Sequence, residues 1–193
     1  MMSHLLERYF TRVQKTELID ALIESTLKTV IHNAHKVMDD PLNYDARAEL
    51  MLASTFAHND LFTCGRIGDW ASHDIEHELS GIYDIPHGAG LSIVMPAWML
   101  YVYCDAPDRF VAFAKQVFGV RDSSQSAEAV ALQGIKKLKA FFNQIGLPTR
   151  LSHANIDQSR FPEMAKKCTE NGSLGNFKKL EEADVINILN LAI

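Results

Sequence analysis

The sequence predicts an all-α protein, a multi-helix bundle, and three observations support that prediction. No segment alternates convincingly between polar and apolar residues over five or more positions, as a half-buried strand would. Apolar residues recur instead at helical spacing, most clearly over residues 16–37. Prolines, glycines and capping residues separate the helical segments, so we expect about eight to ten helices around one core.

The predicted elements follow one another with short connections. In chain order, helices are predicted over residues 1–10, 16–37, 46–57, the segment with His73 and His77 before a turn at 84–86, then 88–103, 107–118, 124 or 126 to 145, 161–171 and 181–192.

Local signals justify the first three helices. Residues 1–10 are helical in pattern but have no N-terminal cap. Thr16 is a candidate N-cap for the second helix, and Glu17 suits its first turn because a carboxylate is stabilised there by the helix dipole. Residues 39–43, which include a proline, break this helix, and Asp45 then starts the third.

The middle helices are bounded by proline and glycine. The apolar segment 88–103 predicts a buried helix kinked at Pro96. Pro107 suits the first position of the next helix, where its missing N–H costs nothing, and Gly119 suits its end. These signals predict a helix over residues 107–118.

The last three helices have similar signals. Ser124 or Ser126 caps a helix that runs to Ile145, because a serine hydroxyl can accept a hydrogen bond from the first helical turn. Gly172 ends the helix predicted over residues 161–171. The acidic first turn of residues 181–192 complements the dipole of the last helix.

Composition restricts the class of protein. The chain has 193 residues, 47% apolar and 22% charged, with a net charge of −5 and no basic cluster, which argues against nucleic-acid binding. Three dispersed cysteines form no disulfide framework and fit a reducing compartment, so a cytoplasmic location is expected. The longest apolar run, Leu91 to Tyr103, is too short to cross a bilayer, and no N-terminal signal sequence is recognisable.

Three histidines within fifteen residues are the strongest functional signal. His73 and His77 lie four positions apart, so on a helix they project from one face. His87 follows a short turn and begins the next segment, which can return it to His73. Imidazoles brought together in this way form metal sites. The alternative is that these histidines are incidental surface or core residues of a helical interaction module.

The same letters permit a second enzymatic interpretation. Residues 73–77 match H-x-x-E-H, the inverted zinc-protease signature. In that interpretation His73 and His77 bind zinc, and Glu76 is the general base that activates a bound water. The motif has only three fixed positions, and it assigns no role to His87.

The stretch from Trp70 to Gly81, the Pro86–Gly88 tripeptide and the apolar helix after it resemble the group III metal-dependent, or iron-containing, alcohol dehydrogenases. The similarity is greatest to the branch of butanol dehydrogenases and NADPH-dependent aldehyde reductases. The resemblance implies that His73 and His87 are metal ligands and that His77 lies beside the reacting centre. It also matches His4 to the histidine of an Asp-x-x-x-His motif. The aspartate of that motif would lie one position before Met1.

The resemblance covers residues 1–193 but only the helical, C-terminal, metal-binding domain of such enzymes. It implies Fe²⁺ or Zn²⁺ as the metal, alcohols or aldehydes as substrates, and NAD(P) bound through an N-terminal α/β domain that is absent here. The sequence itself lacks a glycine-rich dinucleotide fingerprint. We therefore expect a homo-oligomer-forming fragment that binds metal weakly or not at all and has no dehydrogenase activity alone.

Overall fold

The computed structural model describes residues 1–121 and 126–193, and over that part of the chain the all-α prediction is confirmed. The described residues form no β-strand, only one isolated antiparallel bridge between Leu174 and Leu180. The α-helices are α1 (Met2–Tyr9), α2 (Glu17–Asp39), α3 (Tyr44–His58), α4 (Ala71–Tyr83), α5 (His87–Val102), α6 (Pro107–Phe118), α7 (Ala127–Gln144), α8 (Phe161–Cys168) and α9 (Glu182–Leu191).

One predicted helix start and one predicted cap hydrogen bond differ from the structure. Asn43, and not Asp45, caps α3, because its side-chain oxygen accepts a hydrogen bond from the backbone N–H of Ala46 at 3.0 Å. Thr16 lies at the N-cap position of α2, as predicted, but its oxygen accepts no backbone N–H, and its hydroxyl donates to Asp20 at 3.2 Å. The sequence thus predicts the residue at this cap position but not its hydrogen bond.

The later boundaries follow the local signals more closely. Helix α6 runs from Pro107 to Phe118 as predicted, and Gly119 after it has the left-handed φ of 63° that ends helices. Ser126 caps α7 by accepting the N–H of Ala129 at 3.1 Å, whereas Ser124 lies outside the described residues. Helix α8 ends three residues before the predicted limit of 171.

Helix α5 is the centre of the bundle. Every residue from Gly90 to Met99 is buried, and the helix packs against α1, α4, α7 and α9. Trp98 is fully buried and joins an aromatic cluster with Phe10, Phe110 and Phe177, whose ring centroids lie 4.4–6.2 Å apart. The N-terminus of α5, where His87 lies, is therefore held by a rigid, buried helix.

The outer pair of helices, α2 and α3, leaves large apolar side chains exposed. Leu18 on α2 and Met51 on α3 are each 73% exposed, and Leu22 and Leu52 are exposed along an apolar groove between these helices. Single exposed leucines are ordinary, but several on one pair of helices favour association. Among the described helices, none has both the length and the apolar character needed to cross a bilayer.

Candidate metal centre

Three helices bring the predicted site residues to one place. Helix α1 carries His4, α4 carries His73 and His77, and α5 begins with His87. The His73 ring lies between the other two predicted ligands, with its centroid 4.6 Å from His4 and 5.5 Å from His87. The His77 and His87 rings are stacked at 5.5 Å. The four imidazoles therefore form one contiguous cluster at the junction of α1, α4 and α5.

A buried carboxylate on α1 fixes the start of α4. Glu7 is fully buried, and its oxygens accept hydrogen bonds from the backbone N–H of Trp70 at 2.6 Å and of His73 at 3.2 Å. Trp70 has a left-handed φ of 69° and offers no side-chain cap of its own. Glu7 thus performs, from another helix, the task of an N-cap residue.

The same carboxylate also orients an imidazole. His73 Nδ1 lies 3.0 Å from Glu7 Oε1, so an Nδ1–H donated to that oxygen leaves Nε2 with the free lone pair. Burial raises the pKa of Glu7, and the hydrogen bonds from the backbone N–H groups of Trp70 and His73 oppose that rise by stabilising the carboxylate. This carboxylate–histidine arrangement is the one that usually supports a metal-ligating histidine.

Two nitrogen atoms of the cluster fit a cation. His73 Nε2 and His4 Nδ1 are buried and have no hydrogen-bond partner, which is costly for a polar atom unless a ligand occupies it. Burial lowers the pKa of His4 to about 3 and that of His73 to about 4. Both imidazoles are therefore neutral at pH 7, the form that binds metals.

The closest group of potential ligand atoms is not the predicted one. Among the described residues, one set of three has its donor atoms all within 4.8 Å of one another, and it consists of Glu76, His77 and His87. The predicted ligands are arranged as a chain of rings, with His73 between His4 and His87. The structure thus brings His73 and His87 together and adds a carboxylate, Glu76, which contacts His87 Nδ1.

Three neighbours of the cluster have roles that the sequence interpretation missed. His58, the last residue of α3, lies beside His4 with ring centroids 4.3 Å apart. Glu7 and Glu76 each contact a histidine across a gap in sequence. The sequence places Glu7 on the same helix as His4, but no motif around Glu7 indicates that its carboxylate contacts His73, which is 66 positions away.

Two cavities flank the cluster on chemically different sides. A polar cleft of about 520 Å³ begins at His77 and includes Asp74, Lys167 and Lys179 in its walls. A mainly apolar cavity of about 410 Å³ lies beside His4 and His87. A reactant bound at the imidazole cluster would therefore meet a polar surface on one side and an apolar one on the other.

The comparisons with known proteins agree on one family. The family model described as "Fe-containing alcohol dehydrogenase family, C-terminal" matches residues 1–193. A probable NADH-dependent butanol dehydrogenase of Bacillus subtilis is 40% identical over 193 residues, which is all of this chain and 50% of that protein. The NADPH-dependent aldehyde reductase YqhD of Escherichia coli is 33% identical over 169 residues, 88% of this chain and 43% of that protein.

Solved structures give the same result. The crystal structure of an NADH-dependent butanol dehydrogenase A from Thermotoga maritima superimposes with a TM-score of 0.92 at 37% identity, covering 99% of this chain and 50% of that one. A substrate- and cofactor-free form of the aldehyde reductase YqhD gives a TM-score of 0.93 at 31% identity, covering 100% of this chain and 50% of that one. The chain thus spans about half the length of the relatives it matches.

Proposed function

The chain belongs to the Fe-containing alcohol dehydrogenase family, and on that premise we propose that it is the metal-binding half of an NAD(P)-dependent alcohol dehydrogenase or aldehyde reductase. One observation carries the proposal. The rings of His73 and His87, from two different helices, lie 5.5 Å apart, each with its Nδ1 against a buried carboxylate. That arrangement suits two imidazoles that share a cation through Nε2.

The proposed ligands are His4, His73 and His87. Their imidazoles suit either Fe²⁺ or Zn²⁺, so the donor set alone does not choose between the two. A bound cation of this kind supplies a Lewis acid for an aldehyde or alkoxide oxygen. The chain's own contribution is to hold neutral imidazoles in place, and burial of His4 and His73 keeps them neutral.

His77 is the proposed catalytic residue for proton transfer. Its side chain is exposed, stacks on the His87 ring at 5.5 Å and borders the polar cleft. It makes no hydrogen bond to Glu7 or Glu76, so its nitrogens remain available to a substrate hydroxyl or to water. Imidazole suits this task because its ordinary pKa is near neutrality.

The nicotinamide is proposed to come from a separate α/β domain, which completes the enzyme. The described residues contain no parallel sheet on which a dinucleotide could bind, and relatives named as NADH- or NADPH-dependent are about twice as long. The proposed substrate is an alcohol or an aldehyde. This chain alone is proposed to bind metal weakly and to have no dehydrogenase activity. It is also proposed to self-associate through the exposed apolar residues of α2 and α3.

The protease interpretation is less well supported by the geometry. A general base must face bound water, but the Glu76 side chain is fully buried and contacts Ser80 and His87. The His73 and His77 rings also lie 6.5 Å apart, further than the 5.5 Å between His73 and His87. An interaction module with incidental histidines gives no reason for two buried imidazole nitrogens to lack partners.

Zinc binding by single-histidine variants tests the proposal. We expect His73→Ala and His87→Ala to lower zinc affinity at least tenfold in equilibrium dialysis, and His77→Ala to leave it nearly unchanged. His32→Ala, an exposed residue on α2, is the matched control. Full zinc affinity in His87→Ala, or tight stoichiometric metal together with aldehyde reduction by this chain alone, would contradict the proposal.

A further inference from the structure

Glu76 is a buried carboxylate whose hydrogen-bond partners are a serine hydroxyl and an imidazole of the site. Its side chain has no exposed surface, Ser80 Oγ donates to Oε1, and His87 Nδ1 contacts Oε2. Among the described residues, no lysine or arginine forms an ion pair with it. A carboxylate is expensive to bury without compensation, so this placement demands a reason beyond packing.

The next helix leaves space for this carboxylate. Gly90 on α5 faces Glu76, and a Cβ added there would lie 2.7 Å from Cγ and 2.8 Å from Cδ of Glu76, with Oε1 closer still. Such distances are shorter than any real carbon contact. Glycine at position 90 therefore has a specific use: it lets the Glu76 side chain lie between α4 and α5, directly below His87.

Both oxygens of Glu76 are thereby committed. Ser80 lies one turn further along α4 and orients Oε1, so Oε2 is directed at His87 Nδ1. An oxygen acceptor at Nδ1 selects the tautomer that carries its proton there, and the Nε2 lone pair then faces away from Glu76. The arrangement repeats, on α5, what Glu7 does for His73.

We propose that Glu76 is a positioning residue that holds His87 as the Nδ1–H tautomer with Nε2 free for the cation, and that Ser80 and Gly90 hold Glu76 in place. The inference rests on the proposed function in one respect, that His87 is a ligand. The competing assignment takes Glu76, His77 and His87 as the direct ligands, since their donor atoms lie within 4.8 Å of one another.

The tautomer of His87 tests the proposal without any metal. Nitrogen-15 NMR of the histidine-labelled chain at pH 8, where an ordinary imidazole is neutral, distinguishes a protonated from an unprotonated ring nitrogen. We expect His87 to carry its proton on Nδ1 in the unmodified chain. In Glu76→Ala it shifts to the Nε2–H form that free histidine prefers, and Glu76→Gln, which keeps an acceptor oxygen, retains much of the Nδ1–H form.

Zinc affinity provides the second measurement. We expect Glu76→Ala and Gly90→Ala each to weaken zinc binding by about 10- to 100-fold, as loss of such supporting carboxylates does, and Glu76→Gln to weaken it less. Glu78→Gln is the matched control, because Glu78 lies two residues later on α4 and pairs with Lys167 instead. Gly90→Ala leaves the chemistry of Glu76 intact and displaces it only by steric conflict.

The outcomes separate this inference from the proposed function. A His87 ring protonated on Nε2 in the unmodified chain overturns the inference. It is also overturned if His77→Ala removes zinc binding as fully as Glu76→Ala does while His73→Ala has no effect, since Glu76 is then a ligand. If the Nδ1–H tautomer depends on Glu76 but His87→Ala binds zinc normally, positioning stands and the proposed ligand role of His87 fails.

Discussion

Replacement of Glu7 by alanine is the most informative stability perturbation. Glu7 is fully buried and accepts three N–H groups, from Trp70 N at 2.6 Å, His73 N at 3.2 Å and His73 Nδ1 at 3.0 Å. The alanine variant leaves all three donors without an acceptor in a site that water cannot easily enter. It also removes the side chain that caps α4 from α1.

The magnitude follows from those contacts. A buried donor left without a partner costs about 1–3 kcal/mol, and the free imidazole of His73 can partly reorient, so we expect a loss of about 3–5 kcal/mol. Glu7→Gln keeps one acceptor oxygen but turns an amide N–H₂ toward one of the donors. Its expected loss is smaller, about 1–3 kcal/mol.

Urea denaturation followed by circular dichroism measures both losses. With an m value of about 2 kcal/mol/M, the Glu7→Ala midpoint should fall by about 1.5–2.5 M. Glu49→Ala on the exposed face of α3 is the control and should stay within about 0.5 kcal/mol of the unmodified chain. A Glu7→Ala variant equally close to the unmodified chain would refute the assigned role of Glu7.

Two further predictions concern the framework. Asp20 pairs with Arg66 at 2.9 Å and with Arg109 at 2.6 Å. Burial opposes ionisation of Asp20, but Arg109 and then Arg66 outweigh it and hold its pKa below the ordinary value. Asp20→Asn should therefore cost about 2–4 kcal/mol at pH 7 in urea denaturation. Because the pKa of Asp20 is depressed in the folded chain, its contribution to stability is present above the ordinary pKa and is lost as pH falls through the folded value. The free energies of unfolding of Asp20→Asn and the unmodified chain should therefore converge in acid. A difference between them that persists in acid would contradict the assigned ion pairs. Gly134→Ala puts a Cβ 2.6 Å from the Cβ of Ala114 on α6. This substitution should therefore destabilise the chain by about 1–3 kcal/mol, although alanine has the better helix propensity. A higher melting temperature of the variant would contradict this and show that α6 and α7 separate easily.

Local sequence signals predicted the helices well where the deciding interactions are local. Pro107 and Gly119 bound α6 because their backbone restrictions act regardless of tertiary context. The cap at Ser126 is equally local. Thr16 shows the limit of such signals, since it lies at the predicted N-cap position but its oxygen accepts no backbone N–H. Capping requires a backbone N–H within reach of the side-chain oxygen, and the sequence does not give that distance.

The site was predictable in its imidazoles but not in its carboxylates. The spacing of His73 and His87 indicated that they would meet, and their rings do lie 5.5 Å apart. Glu7 reaches His73 only because α1 packs against the start of α4, a tertiary contact with no sequence signature. Glu76 is part of the H-x-x-E-H motif, which suggested that it is a general base. In the structure, the space left by Gly90 allows the Glu76 side chain to be buried beneath His87.

The proposed metal centre requires above all that His73 and His87 bind one cation together. Titration of the histidine-labelled chain with excess zinc, followed by nitrogen-15 NMR, measures this directly. We predict that the Nε2 resonances of His73 and His87 shift in parallel, and that His73→Ala raises the zinc concentration needed for the response at His87 at least tenfold. A response at His87 that needs no more zinc in His73→Ala, or one shared with His77 and absent from His73, would contradict the proposed metal centre.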